Sequence, residues 1–286
     1  EWQRKRGALV VLFASRADMP QGYPADCVID NGAASGAAAA STMNALVNAS
    51  AGWLWCCEYT AALTRLGKRP GILKSIAYPD GREFNAELRT TPRRLYDYAG
   101  APIARLGLGE VYLARLGRLT QEIASPEVRL PLKRAAETIS ERLRAGGRVY
   151  AATCTHLLGQ SIFRGNRSTL LPFSPYDGGF ARTLKEGDLL LWVGYMGMDT
   201  ANYAHGAEIR KTKADFIACF APSEKGDAEA PDARVVVPQS WTLGDSEVAI
   251  PFAPGRMGPI SGINAALIYR MIDAAAAERS APRAEK

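Results

Sequence analysis

The residues of this chain best suited to chemistry gather in three short loops. The first holds Thr153, Cys154, Thr155 and His156, with Ser161 close behind. The second runs from Gly194 through Tyr195, Met196, Gly197, Met198 and Asp199 to Thr200. The third holds Ser261, between Gly258-Pro259-Ile260 and Gly262. Hydroxyls and free backbone N–H groups at the start of a helix make an anion site, because the dipole and the unpaired donors both favour negative charge. Three such loops converging on one edge would suit a phosphorylated small molecule. Ser161 and Ser261 are equally suited to capping the helices they precede. His156 changes charge near neutral pH, so it can donate to a phosphate or carry a proton; a loop histidine bonded to backbone fits the same position. His205 sits in a polar stretch and reads as a solvent-facing helix residue.

Other chemistries lack their residues. The sequence has no Gly-x-x-x-x-Gly-Lys-Ser/Thr phosphate loop and no Gly-x-Ser-x-Gly nucleophile elbow. Gly107-Leu108-Gly109 lacks the third glycine of a dinucleotide fingerprint and follows no strand. With two histidines in the whole chain, a histidine-rich metal site is not expected, and neither metal nor cofactor is. The five cysteines (Cys27, Cys56, Cys57, Cys154 and Cys219) are odd in number and match no zinc spacing, so they read as reduced thiols of a cytoplasmic protein. Lys plus Arg is 35 against 29 Asp plus Glu, a net +6 spread along the chain. That excess favours anionic small molecules and is too mild to indicate nucleic acid, for which a basic helix-turn-helix segment is also missing. No apolar run reaches the roughly 20 residues of a membrane helix, so no membrane partner is expected.

Positioning those loops requires strands and helices, and the second half of the chain supplies them in alternation. Ser125-Pro126-Glu127 is a helix start: a capping hydroxyl, a proline in the first turn and an acid on the positive end of the dipole. Leu132, Ala136, Ile139 and Leu143 recur at helical spacing, and Gly146-Gly147 ends the helix. Strands are expected over 148–153, 169–173, 188–193, 214–220 and 234–237. A helix suits 200–213, and Ile263, Leu267, Met271 and Ile272 make the apolar face of a last helix. Five short apolar strands alternating with helices imply an α/β fold, a three-layer αβα sandwich around a mostly parallel five-stranded sheet. Ligands of such sheets bind beyond the carboxyl ends of the strands, where the three loops fall.

The front of the chain resembles the back. Lys5-Arg-Gly-Ala-Leu-Val-Val-Leu-Phe-Ala14 lines up with Thr212-Lys-Ala-Asp-Phe-Ile-Ala-Cys-Phe-Ala221, and Ser41-Thr-Met-Asn-Ala-Leu46 with Ser261-Gly-Ile-Asn-Ala-Ala266. The order strand, loop, strand, long loop, helix occurs twice. Residues 1–90 are therefore expected to be the second half of a domain met in mid-stride. Residues 91–123 would be a linker with a helix near 110–123, 124–280 the complete copy, and 281–286 a tail. Trp53, Trp55, Cys56, Cys57 and Tyr59 fall together on one helix of the front copy and suit an inter-domain or dimer contact, or ordinary burial.

This pattern resembles the SIS (sugar isomerase) phosphosugar-binding domain, particularly uncharacterised bacterial SIS proteins. Arg144-Ala-Gly-Gly-Arg-Val-Tyr-Ala-Ala-Thr-Cys-Thr-His156 is similar to that group's opening strand and loop. Glu186-Gly-Asp-Leu-Leu-Leu-Trp-Val-Gly-Tyr-Met-Gly-Met-Asp-Thr200 is similar to the strand leading to its Ser-x-Ser-Gly-x-Thr phosphate loop, and Gly258-Pro-Ile-Ser-Gly-Ile-Asn-Ala265 to the start of its last helix. The resemblance implies a flavodoxin-type sheet and phosphosugar binding through Thr153, Thr155, Ser161, Gly197, Thr200 and Ser261. It also implies aldose–ketose isomerisation with His156 and Glu208 as catalytic candidates, and pairing as a homodimer or between tandem copies. Two departures qualify this. Gly194 and Met196 stand where the phosphate loop has serines, and Glu208 lies further from Thr200 than the family's base. Each lost hydrogen bond to a charged group is worth roughly 1.5–3 kcal/mol, so a non-catalytic regulatory or scaffolding protein with an eroded phosphate site is the alternative.

Overall fold

The computed structural model describes residues 5, 7, 9–15, 19, 21–32, 38–76, 78–90, 95–153, 170–173, 184–194, 211–221, 232–241 and 245–280. The chain divides into two compact units: 1–74, 83–113 and 247–258 form unit 1, and 75–82, 114–246 and 259–286 form unit 2.

Unit 2 is built on a five-stranded sheet of β5 (Val149–Thr153), β6 (Leu171–Phe173), β7 (Leu189–Val193), β8 (Asp215–Phe220) and β9 (Val235–Pro238). The order is β6-β5-β7-β8-β9, and every neighbouring pair is parallel. The mixed α/β class and the parallel sheet thus agree with the sequence. Leu189, Leu190, Leu191, Trp192 and Val193 are all fully buried, as a strand covered on both faces requires. One face packs Tyr150, Ala152, Leu190, Trp192, Phe216, Ala218 and Phe220 into a single apolar cluster. Before β5 runs α4 (Pro126–Arg144), and α5 (Ser261–Ser280) closes the chain. The two helices pack together, with the Ser140 hydroxyl donating to the carbonyls of Ala136 and Ala276.

Several local expectations are refined. Ser125 is the N-cap of α4, but its hydroxyl makes no capping bond. It bonds instead to the Glu127 carboxylate, which holds that acid below its usual range. Pro131 is accommodated inside α4, and Gly146, with φ +72, takes the left-handed turn after it. The stretch between Val237 and Gly258, read as one long loop, contains β10 (Ser246–Ala249) and β11 (Arg256–Pro259), which pair with each other. The helix expected near 110–123 is α3 (Gly109–Ala124).

In unit 1, β1 (Val11–Ala14) and β2 (Cys27–Asp30) pair in parallel and lead into α1 (Ala38–Arg65), a 28-residue helix. No expectation covered β3 (Lys68–Pro70), α2 (Gly81–Thr90) or β4 (Leu95–Asp97). β3 and β4 pair antiparallel, and Arg69 lies over the Tyr96 ring at 4.9 Å. Trp53, Trp55, Cys56, Cys57 and Tyr59 all lie on α1; Cys57 is fully buried, and Trp53 and Tyr59 are exposed. No helix among the described residues is long and apolar enough to cross a membrane.

The amino ends of the unit 2 strands carry a charge network. Arg148 Nε and Nη2 donate to the two carboxylate oxygens of Asp188 at 3.0 and 2.7 Å, and the Lys185 N–H donates to the same group at 2.8 Å. Arg142 and Arg234 both hold Asp215, at 2.6 and 2.8 Å. Hydrogen bonds donated to these carboxylates keep the Arg148 and Arg234 guanidiniums firmly protonated. Asp188 is 5% exposed, whereas Glu186 and Lys213 form an open pair 3.8 Å apart. In urea denaturation, Asp188→Ala is expected to cost about 1–3 kcal/mol by removing the buried acceptor of three hydrogen bonds. Glu186→Gln should stay within about 0.5 kcal/mol. Equal losses would contradict the assignment.

Candidate functional site

Which end of the sheet meets a ligand follows from the strand order. In chain sequence the unit 2 strands are first β5, then β6, β7, β8 and β9, so the sheet reads 2-1-3-4-5. The chain leaves β5 toward one side for β6 and crosses to the other side for β7. In open parallel sheets such a change of side is where ligands bind, which points to the carboxyl ends of β5 and β7. Register makes the rim level, because Thr153 pairs with Val193, Val193 with Cys219 and Cys219 with Val237.

The floor of this edge is closed by Gln239, directly after β9 and 2% exposed. Its Nε2 donates to the carbonyls of Gly194 at 2.9 Å and Cys219 at 3.0 Å, and its Oε1 accepts the Trp241 indole N–H at 2.9 Å. The Gly194 N–H donates to the Cys219 carbonyl at 2.8 Å, and the Gln239 N–H to the Phe220 carbonyl at 3.0 Å. One amide side chain thus bonds the carbonyl that follows β7 and the next-to-last carbonyl of β8, and is itself pinned by an indole. Burial pushes the Cys219 thiol up, so it stays protonated and unreactive under the floor.

Of the residues singled out in the sequence, Thr153 is the last residue of β5, at this carboxyl edge. Ser261 is the first residue of α5 and is buried. Its hydroxyl donates to the Asp245 carboxylate, and the Ile260 N–H donates to the Asp245 carbonyl at 3.1 Å. Asp245 takes the left-handed conformation, φ +49, to face both. Ser261 is therefore engaged inside unit 2. His156, Thr155, Ser161, Gly197, Thr200, His205 and Glu208 lie outside the described residues. Among the described residues, no group of three His, Cys, Asp or Glu side chains could hold a metal ion. Sequence reasoning missed Gln239 and Asp245. The available signal was a polar residue placed immediately after an apolar strand, as in Val237-Pro238-Gln239.

No family model matches this sequence, and no curated protein matches it. Among solved structures, the chain is similar to a protein described as a phosphosugar isomerase involved in capsule formation from Bacteroides fragilis. That likeness has 17% identity over 60% of this chain and 90% of the other, with a TM-score of 0.42. It is similar also to a protein from Listeria monocytogenes described as a sugar-phosphate isomerase, at 16% identity over 60% and 92% of the two chains with a TM-score of 0.39. A third is the sugar isomerase domain of an RpiR transcription factor from Sphaerobacter thermophilus, at 17% identity over 60% and 92% with a TM-score of 0.36.

Gln239→Ala removes the side-chain donor to the Gly194 carbonyl and the acceptor of the Trp241 indole, while the Cys219 carbonyl keeps the Gly194 N–H. The expected loss is about 2 kcal/mol or more, visible as a drop of several degrees in Tm. Little or no loss would show that the carboxyl edge does not depend on this side chain.

Proposed function

We propose that unit 2 binds a phosphorylated sugar, or a related anionic sugar derivative, in the crevice beyond β5 and β7. The observation that carries this reading is the 2-1-3-4-5 order of the parallel sheet, with its switch point beside Thr153. It is supported by the three sequence segments that resemble SIS domains, two of which end in the loops leaving β5 and β7. In this reading Thr153, Thr155, Ser161, Gly197 and Thr200 hold the phosphate or the sugar hydroxyls. Residues 1–90 form a partial second copy, with β1, β2 and α1 in the roles of β8, β9 and α5.

Aldose–ketose isomerisation at such a site needs the sugar ring opened and a proton moved between neighbouring carbons through an enediol. A base takes the proton from the carbon beside the carbonyl and returns it to the next carbon. Glu208 is the candidate base, and His156 the candidate for ring opening or phosphate contact.

A second reading, binding without turnover in a regulatory or scaffolding role, is favoured by two specific contacts. The Gly194 N–H, which stands where a phosphate loop would begin, is given to the Cys219 carbonyl, and the Ser261 hydroxyl to Asp245. Neither donor is free for a phosphate. An anion held through fewer donors binds more weakly and is oriented less tightly, which bears on turnover more than on recognition.

A thermal-shift screen with the 6-phosphates of glucose, glucosamine and N-acetylglucosamine, each beside its unphosphorylated sugar, tests the binding claim. Ligand at about 100 times Kd stabilises by about 2.7 kcal/mol, a rise of several degrees for a chain of this size. A rise with one phosphorylated class only is expected. Absence of any rise, or equal rises with the unphosphorylated sugars, would refute phosphosugar binding. Aldose–ketose conversion of the bound sugar phosphate would decide for the isomerase and against the silent binding protein.

A further inference from the structure

Unit 1 carries a groove that the sugar-phosphate reading does not use. Trp55, Glu58, Tyr59, Ala62 and Arg65 lie along one face of the last turns of α1, at helical spacings of three and four. Arg105 and Leu106, just ahead of α3, form the opposite wall, and the groove between has a volume of about 470 Å³. That volume is within the roughly 300–1,000 Å³ of small-molecule sites.

The walls are fixed by bonds that leave the groove's own chemistry free. Glu58 Oε2 accepts the Leu106 N–H at 2.8 Å, and its Oε1 accepts the Gly109 N–H at 3.0 Å. A Cβ on Gly109 would meet Glu58 Oε1 and Leu54 Cδ1 at 2.8 Å, so the close approach needs glycine there. Thr64 Oγ1 accepts the Ile103 N–H at 2.9 Å, and Arg65 Nη1 donates to the Ile103 carbonyl at 3.0 Å. Both carboxylate oxygens of Glu58 are thus occupied by backbone amides. Arg65 keeps most of its five donors, and Arg105 is exposed and makes no ion pair among the described residues. The groove is positive, with its one acid already satisfied.

Its floor is aromatic. The Trp55 and Tyr59 rings stack with centroids 5.1 Å apart and planes 8° from parallel, and Tyr59 is 45% exposed. A parallel pair with an open ring can accept another flat π-face. Guanidiniums beside it match a phosphate in bidentate geometry. An open aromatic ring and two guanidiniums lining one groove of about 470 Å³ match a flat base joined to a phosphate, a nucleotide rather than a simple sugar phosphate.

We propose that this groove binds a nucleoside monophosphate, its base stacked on Tyr59 and Trp55 and its phosphate held by Arg65 and Arg105. The groove belongs to unit 1, and the proposal does not rest on the sugar-phosphate reading of unit 2.

The test is isothermal titration of the full chain with AMP, with adenosine and inorganic phosphate as separate arms, repeated on Tyr59→Ala and Arg105→Ala. Both side chains are exposed, so both variants should keep the parent Tm. AMP is expected to bind at least about tenfold more tightly than adenosine or phosphate. Each substitution should weaken AMP by about tenfold. No AMP binding, an affinity for inorganic phosphate equal to that for AMP, or AMP binding insensitive to both substitutions would overturn the proposal.

Discussion

The carbonyl oxygens of Gly194 and Cys219 sit at the ends of two buried strands, where water does not reach, and Gln239 Nε2 donates to both. A parallel sheet covered on both faces makes such ends expensive. Its last carbonyls point out of the ladder into protein, and each left unpaired costs about as much as a lost buried hydrogen bond. Gln239 can do this because the register of β7, β8 and β9 is level, so that the residue after β9 lies beside the ends of both neighbours. The Trp241 indole fixes which way the amide faces. The Gly194 N–H is engaged at the same place, on the Cys219 carbonyl.

The two ends of the sheet divide their chemistry. At the amino ends, Asp188 and Asp215 are matched by Arg142, Arg148 and Arg234, and these charges are spent on one another. That network ties α4 to the strand starts and presents little unsatisfied charge to a ligand. At the carboxyl ends no comparable ion network occurs among the described residues. The residues described there are neutral: Thr153 at the end of β5, Gly194 after β7 and the buried Gln239 after β9.

Most strands of unit 2 were legible because they are apolar runs that start beside charge, as β5 does after Arg148, β7 after Asp188 and β9 after Arg234. Residues 188–193 read as a buried strand, and β7 is that strand within one residue. α5 was legible from the spacing of Ile263, Leu267, Met271 and Ile272. The short pairs were not: β3 and β4 have three residues each, and β10 and β11 four, too few to establish a period of two. Their residues, such as Lys68-Arg69-Pro70, are polar or break strands, and long-range pairing rather than propensity makes them extended. At the site, Thr153 and Ser261 were found by residue type and position. The claim of Asp245 on the Ser261 hydroxyl depends on a left-handed residue 16 positions upstream, which no local pattern announces. The same holds for the groove of unit 1. Its helical face is visible in the spacing of Trp55, Tyr59 and Ala62, but the second wall comes from residues 40 and more positions away.

The central claim is that a phosphorylated sugar sits at the carboxyl ends of β5 and β7. The most direct measurement is amide NMR of the isotopically labelled chain, titrated in turn with glucose 6-phosphate, glucosamine 6-phosphate and N-acetylglucosamine 6-phosphate. The account predicts that one of them shifts the amides of Thr153, Val193 and Gly194 first, while Arg148 and Asp188, at the opposite ends of the same strands, stay in place. Shifts confined to the amino ends or to unit 1, or none at saturating sugar phosphate, would contradict it.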